Sequence, residues 1–341
     1  MGNLLEVSHL TVNFDTDQGT VYAVRDVSFS VGPGEILGIV GESGSGKSVS
    51  MYAVMGLLPQ NGRMIAGEIV FDGQAIGRGA FSTDAKHERA MCQIRGRTLS
   101  MIFQDPMTFL NPVLTIEKQL VEPILNHTEL SYGQARQRVL NLMRQVGIPS
   151  PEKRIRQYPH EFSGGMRQRV IIAIALANHP KLIIADEPTT ALDVTIQAQI
   201  LELIREIMRQ TGSSTIMITH DLGVVASLCD RISIMYGGKI VESGTDREIF
   251  YEPAHPYTTG LLQCINNPRA DEKDLRPIPG SPPDLLKPPV GCPFVDRCER
   301  AMKVCKLKMP EHSRLSETHQ SACWLNEVNK RNTNGKLGEI T

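Results

Sequence analysis

The stretch "GESGSGKS" at residues 41–48 constrains the fold more than any other part of the sequence. It matches G-x-x-x-x-G-K-[ST], and it lies between the apolar run "ILGIV" and the predicted helix "VSMYAVMGLL", the setting of a phosphate-binding loop. Glycines are needed there because backbone N–H groups must point at the phosphates, and a Cβ would obstruct that approach. A string this short also arises by chance as a Gly/Ser loop, so other motifs must decide.

If this loop binds a nucleotide, its last two residues have separate roles. Lys47 supplies a positive charge for the β and γ phosphates, and the Ser48 hydroxyl is a ligand for Mg²⁺. The candidate nucleotide-binding residues of the loop are Gly41, Ser43, Gly44, Ser45, Gly46, Lys47 and Ser48.

A second apolar run, "KLIIADEP", ends in two acidic residues. It predicts a buried strand that delivers Asp186 and Glu187 at its carboxyl end, where an open α/β sheet holds its ligands. Asp186 is suited to bind Mg²⁺, and Glu187 is suited to act as the general base that polarises the attacking water. Two acids after a strand are also typical of a solvated loop or a helix cap, so the catalytic interpretation depends on the phosphate loop upstream.

Between these two motifs lies "HEFSGGMRQRV", in which Ser163, Gly164 and Gly165 open an apolar helix. The free N–H groups and the dipole of a helix start can bind an anion, although an ordinary N-cap accounts for the same residues. Two separated phosphate-binding helix starts in one chain require either two nucleotides or a partner.

The remaining pattern indicates an α/β protein. Residues 4–40 alternate apolar and polar side chains, which predicts antiparallel strands that lead into a buried one. Residues 115–147 carry apolar side chains at helical spacing, with Pro and Gly expected to divide the run into segments. From residue 166 onward helices and strands alternate, as in a mostly parallel sheet.

Charge and hydropathy exclude several function classes. Lys and Arg total 36 against 37 for Asp and Glu, so the net charge of -1 gives no overall attraction to nucleic acid or to an anionic membrane. The densest apolar stretch is interrupted well before the ~18 residues that a membrane helix needs, so any membrane role is expected to be peripheral. The start has no secretory signal pattern, which predicts a reducing compartment where disulfides are rare.

Taken in order, the motifs resemble those of the nucleotide-binding subunit of ABC transporters over about residues 4–250. Besides the phosphate loop, the matching elements are a Q-loop in "MIFQDP" with Gln104, the signature "FSGGM", the strand "LIIADE", a D-loop in "TALD" with Asp193, and a switch histidine in "ITHD", His220. The resemblance implies a P-loop NTPase fold of ABC type, with a RecA-like parallel sheet core, an antiparallel β subdomain and a helical subdomain.

The resemblance also implies roles for single residues. Phe14 would stack on adenine, with Tyr22 as the alternative. Gln104 would contact Mg²⁺ and the attacking water, and His220 would sense the γ-phosphate. In such proteins the signature of one subunit closes on the ATP of the other, so hydrolysis requires a head-to-tail pair. Asp193 would be a further nucleotide-binding residue.

The signature departs from the usual "LSGGQ", because Phe162 replaces Leu and Met166 replaces Gln. This variant looks like one of the two non-identical ATPase subunits of oligopeptide and dipeptide importers. The expected partners are a second ATP-binding subunit, two membrane-spanning permease subunits and, through them, an extracytoplasmic solute-binding protein, with no nucleic acid. The expected location is the cytoplasmic face of the cell (inner) membrane.

Near residue 253 the sequence becomes Pro-rich, and "AHPYT", "PGSPP" and "GCPFVDRC" resemble the C-terminal extension of peptide-importer ATPases. Four cysteines follow without the C-x₂-C knuckles of structural zinc sites. Four thiolates can hold zinc or a [4Fe-4S] cluster, and the resemblance favours the cluster in a structural role. The candidate ligands are Cys292, Cys298, Cys305 and Cys323, whereas Cys92, Cys229 and Cys264 are isolated.

We therefore predict a nucleotide-binding domain over residues 1–252 with a helical insert at about 106–165. A Pro-rich linker over 253–290, a cysteine-bearing extension over 291–325 and a disordered tail over 326–341 would follow. The expected function is ATP hydrolysis that energises the import of di- or oligopeptides. The alternatives are import of nickel or another small solute, and a non-transport ABC ATPase acting on nucleic acid or the ribosome, against which the single copy of each motif argues.

Overall fold

The computed structural model describes residues 2–105, 109–190, 192–264 and 278–333. Within them the chain forms two β-sheets with helices around the larger one, which confirms the predicted α/β fold. The strands are β1 Leu5–Thr16, β2 Gly19–Val31, β3 Ile36–Val40, β4 Gly62–Phe71, β5 Gln74–Ala75, β6 Leu99–Ile102, β7 Leu182–Asp186, β8 Ser214–Thr219, β9 Arg231–Tyr236, β10 Lys239–Thr245, β11 Ser313–Arg314 and β12 Gln320–Ser321.

The smaller sheet is antiparallel and has the strand order β2-β1-β4-β5. Leu5 and Val7 of β1 are buried while Glu6 between them is exposed, because successive side chains of a strand point to opposite faces. The buried face packs with Leu37 of β3 and with Met51 in one hydrophobic cluster. The predicted strand-rich opening subdomain is therefore present, and it covers the start of the larger sheet.

The larger sheet has the order β11-β12-β10-β9-β3-β8-β7-β6 among the described strands. β3 pairs in parallel with β8 and β9, and β7 pairs in parallel with β8 and β6. One strand, β8, separates β3 from β7, so the loop after Val40 and the acids at the end of β7 lie at the same edge of the sheet. The topology thus brings together the two motifs that are about 140 residues apart in sequence.

Helices fill the connections between strands. In the described residues they are α1 Lys47–Met55, α2 Asp84–Ile94, α3 Ile116–His127, α4 Tyr132–Gln145, α5 Pro151–Arg154, α6 Gly164–Leu176, α7 Val194–Thr211, α8 Leu222–Leu228, α9 Asp246–Tyr251, α10 Pro256–Gln263, α11 Lys303–Leu307 and α12 Trp324–Thr333, with 3-10 turns at Arg78–Ala80, Pro159–Glu161 and Val295–Arg297.

The helices predicted over residues 115–147 are α3 and α4, which pack on α6 through buried apolar side chains. The run does not divide at Pro123, which lies inside α3. It divides after His127, and Ser131 starts α4 with a reciprocal capping box to Gln134. The start of the predicted insert, at residues 106–108, lies outside the described residues.

The segment over 253–290 contains more regular structure than its Pro-rich composition predicts. It includes α10, where Tyr257 is wholly buried against Tyr236 and Phe294, with ring centroids 4.4 and 5.3 Å away. Burial of this large aromatic ring stabilises a helix that the composition alone disfavours. Residues 265–277 of the predicted linker lie outside the described residues.

The C-terminal extension adds strands to the larger sheet, because β12 pairs with β10. Glu242 of β10 is completely buried, and its carboxylate accepts hydrogen bonds from the Ala254 and His255 backbone N–H groups at 2.7 and 2.9 Å. The same carboxylate lies 2.7 Å from Nε2 of His319 in the extension. A buried charge with several partners thus joins the extension to the core.

The first part of the predicted disordered tail over 326–341 is helical. Helix α12 runs from Trp324 to Thr333, Asn326 is buried, and the Trp324 indole N–H donates to the Lys308 carbonyl at 3.0 Å. These contacts hold the first part of the predicted tail on the extension. Residues 334–341 lie outside the described residues.

Candidate functional site

The phosphate loop connects β3 to α1 as predicted, and close backbone contacts require glycine at two of its positions. A Cβ on Gly41 would lie 2.0 Å from the Met235 carbonyl oxygen. A Cβ on Gly46, whose φ is 101°, would lie 2.5 Å from the Ala23 carbonyl oxygen. The two positions therefore exclude any side chain, and the loop is held in the compact form that turns N–H groups toward an anion.

Lys47 is buried at the first position of α1. Its ammonium donates to the Gly41 and Glu42 carbonyl oxygens at 2.7 and 3.0 Å. Burial lowers the pKa of Lys47, and the nearby carboxylates of Glu187, Asp186 and Glu42 oppose that shift. The ammonium is thus bound by neutral oxygens that a phosphate, a stronger acceptor, can replace.

Asp186 and Ser48 are two of the three candidate Mg²⁺ ligands, and Gln104 is the third. The Ser48 hydroxyl donates to Oδ1 of Asp186 at 2.9 Å, and among the described atoms the buried Oδ2 has no hydrogen-bond partner. Burial raises the pKa of Asp186, although the Ser48 hydrogen bond acts in the opposite direction. A buried carboxylate with one unused oxygen beside a hydroxyl fits Mg²⁺, which takes one or two protein oxygens together with phosphates.

The candidate general base, Glu187, lies next to Asp186 and contacts three side chains. Its Oε2 accepts hydrogen bonds from Nε2 of Gln104 at 3.0 Å and from the Thr190 hydroxyl at 2.9 Å. Its Oε1 lies 3.4 Å from Nδ1 of His220, and the Glu187 backbone has a positive φ of 44°. The other two predicted catalytic residues, Gln104 and His220, therefore both contact the Glu187 carboxylate, although the three residues lie on separate loops.

Thr190 was not among the candidate catalytic residues, although it lies in the quoted D-loop. Its position three residues after Glu187 is the signal that could have identified it, because a turn at this spacing places the hydroxyl near the carboxylate. The Thr190 N–H also donates to the Glu187 carbonyl at 3.3 Å, which closes that turn. We call Gln104, Glu187, Thr190 and His220 the Glu187 cluster.

The signature residues lie elsewhere on the chain. Ser163 caps α6 by accepting from the Met166 N–H at 3.4 Å, and a Cβ on Gly165 would lie 2.8 Å from Cγ2 of Ile196. Among the described residues, the hydrogen-bond partners of the Glu187 carboxylate are Gln104 and Thr190, and neither is a signature residue. Ser163 and Gly164 are exposed.

The three remaining candidates are Asp193, Phe14 and its alternative Tyr22. Asp193 is exposed and precedes α7 without a side-chain capping hydrogen bond. Phe14 is half-buried on β1, where a Cβ on Gly62 would lie 2.7 Å from its ring, and Tyr22 on β2 is 40% exposed. The roles assigned to these residues stay predictions.

The four cysteines of the extension lie around a single small cavity, which His255 also lines. Burial raises the pKa of Cys292 to about 12 and that of Cys323 to about 11, and the other thiols of the group add to both shifts. In the described ranges no group of three or more His, Cys, Asp or Glu side chains is arranged to hold a metal ion. The structure therefore gathers the predicted ligands without forming a closed metal site.

None of the helices in the described part of the chain is long and apolar enough to cross a membrane.

Comparison with known proteins identifies the family. Residues 24–190 match the model of the ABC transporter family, and residues 241–305 match that of the oligopeptide/dipeptide transporter C-terminal region. The chain is 51% identical over 328 residues to a dipeptide transport ATP-binding protein of Bacillus subtilis, with 96% of each chain covered. It is 51% identical over 324 residues to an oligopeptide transport ATP-binding protein of the same organism, covering 94% of this chain and 88% of the relative.

The fold of this chain is similar to that of a solved ATP-binding cassette. The solved structure is a dimeric ATP-binding cassette in a post-hydrolysis state, bound to ADP and phosphate, with a TM-score of 0.61 and 26% identity. The match covers 71% of this chain and 99% of that one. Together with the geometry of the phosphate loop and the Glu187 cluster, these likenesses show that the chain belongs to the ATP-binding subunits of oligopeptide and dipeptide ABC transporters.

Proposed function

We propose that this chain hydrolyses ATP to energise the import of di- or oligopeptides through membrane-spanning permease subunits. The observation that carries the proposal is the arrangement of the Glu187 cluster beside the Asp186–Ser48 pair and the phosphate loop. The relatives that match nearly the whole chain are named for dipeptide and oligopeptide transport, which supports peptides as the cargo.

Each residue of the site has its own role in ATP hydrolysis. Lys47 and the loop N–H groups bind the β and γ phosphates. Ser48 and Asp186, with Gln104, would hold Mg²⁺, which would neutralise charge on the phosphates. Glu187 accepts a proton from the attacking water while the water oxygen bonds to the γ phosphorus. The bond between the γ phosphorus and the β–γ bridging oxygen breaks in the same step. Gln104, Thr190 and His220 orient the Glu187 carboxylate for that transfer.

The second ATP-binding subunit in this proposal is a different chain that pairs head to tail with this one. Ser163 and Gly164 are exposed at the start of α6 and do not join the Glu187 cluster, so they are available to the nucleotide of a partner. The dimeric state of the similar solved cassette supports such pairing. The pair would act at the cytoplasmic face of the cell (inner) membrane, supplied by an extracytoplasmic solute-binding protein.

Uptake measurements test the transport function. Cells that lack this chain are expected to lose uptake of labelled di- or oligopeptides, and the intact gene should restore it. Uptake of nickel, measured in the same cells, should not change. Loss of nickel uptake with unchanged peptide uptake would contradict the proposal that peptides are the cargo. Copurification of the chain with ribosomes instead of permease subunits would contradict the transport function itself.

The proposal includes a [4Fe-4S] cluster at the four cysteines, with zinc as the alternative. The four thiols line one cavity, and burial there disfavours the loss of their protons, a cost that a bound metal cation would offset. Their Sγ positions depend on side-chain torsions, which can change without movement of the backbone. The donor set therefore fits a group that takes four thiolates, and its role would be to stabilise the extension.

Metal analysis of anaerobically purified protein is expected to find about four irons and four sulfides per chain, as Cys₄ ligation of a cubane cluster requires. Cys298→Ser should lose most of that iron and the broad visible absorbance. Cys92→Ser, which changes an exposed thiol outside the group, is the matched control. One zinc without iron would identify a zinc site, and the absence of both would contradict the metal proposal.

A further inference from the structure

The phosphate loop is attached to the C-terminal extension through its second residue, Glu42. Nη1 of Arg297 donates to Oε2 of Glu42 at 2.7 Å and to the Tyr236 hydroxyl at 3.0 Å. The Arg297 side chain is 7% exposed and that of Glu42 is 25% exposed. An ion pair shielded from water in this way is stronger than one on an open surface.

The backbone of Glu42 has a second attachment to the same region. The Glu42 N–H donates to the Tyr257 hydroxyl at 3.0 Å, and the Tyr257 ring packs against Tyr236 and Phe294. Burial raises the pKa of Tyr257 far above the physiological range, so the hydroxyl stays neutral. Both the side chain and the backbone of Glu42 are therefore held by residues outside the phosphate loop.

Arg297 is itself fixed in place. Its Nε donates to the Pro279 carbonyl at 2.9 Å, and its Nη2 donates to the Ile278 carbonyl at 3.1 Å. It ends the 3-10 turn Val295–Arg297 and immediately precedes Cys298, one of the cysteines around the cavity. Contacts on several edges of the planar guanidinium leave it one orientation, which points at Glu42.

The Glu42 carboxylate acts within the electrostatic field of the phosphate site. It is near enough to Lys47 to raise the pKa of that residue, and it would repel the phosphates of a nucleotide in the same region. Arg297 neutralises this charge.

We propose that Arg297 of the extension is a positioning residue of the ATP site, which holds and neutralises Glu42 so that the phosphate loop can accept ATP. The proposal rests on the ATP site described above and adds a residue some 250 positions away in sequence. It also gives the extension an effect on nucleotide affinity, because Arg297 lies in the turn between Cys292 and Cys298.

The test is ATP binding and ATP turnover of the full chain with Arg297→Gln. We expect the Kd and KM for ATP to rise about tenfold, the size typical of losing a hydrogen bond to a charged group. The kcat should stay within about twofold of the original, because Arg297 does not contact the Glu187 cluster.

A second substitution separates this role from a structural one. Adding Glu42→Gln to Arg297→Gln removes the unpaired carboxylate and should return the Kd for ATP to within about threefold of the original, because the repulsion is then absent. A general loss of stability would not be repaired by this change.

Arg231→Gln is the matched control. Arg231 pairs with Glu35 at 2.9 Å and has 30% of its side chain exposed, at the opposite end of β3 from the phosphate loop. We expect its loss to leave the Kd for ATP unchanged.

If Arg297→Gln does not fold, the Kd for ATP is measured on Arg297→Lys instead. It keeps the charge but loses the fork of contacts, so its Kd for ATP should lie between that of the original chain and that expected for Arg297→Gln. Unchanged ATP affinity in Arg297→Gln, no rescue by Glu42→Gln, or a tenfold loss in Arg297→Lys would overturn the inference. If the original chain binds no ATP, the proposed function fails instead.

Discussion

Glu187→Gln is expected to lower ATP turnover by about 10²–10⁴-fold, the contribution of a positioned general base. The amide cannot accept the proton of the attacking water, whereas its shape is nearly that of the carboxylate. Because Glu and Gln have the same carbon skeleton, the positive φ at this position and the contacts with Gln104 and Thr190 can be kept. ATP affinity should therefore be retained.

Single-turnover measurements on the complex assembled with its partner subunits give the clearest result, since they separate ATP binding from hydrolysis. Glu202→Gln is a suitable control, because it makes the same chemical change on an exposed face of α7 where Glu202 pairs with Arg205. Turnover of the Glu187 variant within about threefold of the original would show that another group acts as the base.

Gly164→Asp is expected to impair the assembled pair without destabilising the isolated chain. In the isolated chain a carboxylate in the first turn of α6 interacts favourably with the helix dipole, by up to about 1 kcal/mol. A Cβ at this position meets only Leu192, at an ordinary distance of 3.6 Å. Stability should therefore stay the same or rise slightly.

In the pair the same carboxylate would face the phosphates of the partner's ATP. Two like charges 4 Å apart repel by about 4 kcal/mol at an effective dielectric constant of 20, so closure could weaken by up to about 10³-fold. We expect ATP turnover of the assembled complex to fall by at least about tenfold, while thermal unfolding of the isolated chain is unaffected.

Gly133→Asp is the control for Gly164→Asp. It introduces the same charge in the first turn of α4, at an exposed glycine where a Cβ would meet nothing within 4 Å. Its turnover should equal that of the original chain. If the two variants behave alike, the start of α6 does not face a partner's nucleotide.

Much of the ATP site could be predicted because its motifs are local. The loop over residues 41–48 and the acids after β7 each depend on a strand and the few residues after it, and the parallel sheet places them at one edge. The meeting of Gln104 and His220 at Glu187 was accessible only through the family resemblance. The three residues lie on separate loops, and their spacing in the sequence does not predict that their side chains are in contact.

The contacts between the extension and the core could not be predicted from the sequence. Arg297 and Glu42 are 255 positions apart, and His319 and Glu242 are 77 apart, so no periodicity or turn pattern relates them. The helix at Pro256–Gln263 was missed for a related reason. Its Pro-rich surroundings disfavour a helix, and the burial of Tyr257 that outweighs them depends on rings distant in sequence.

The pairing of β12 with β10 also limits how this chain could vary in evolution. An added domain on a tether can be lost or exchanged without harm to the protein that carries it, but these strands cover one edge of the nucleotide-binding sheet. Loss of the extension would uncover that edge and would also leave Glu242 without His319. A lineage that discarded the cysteines would therefore need to retain the backbone around them.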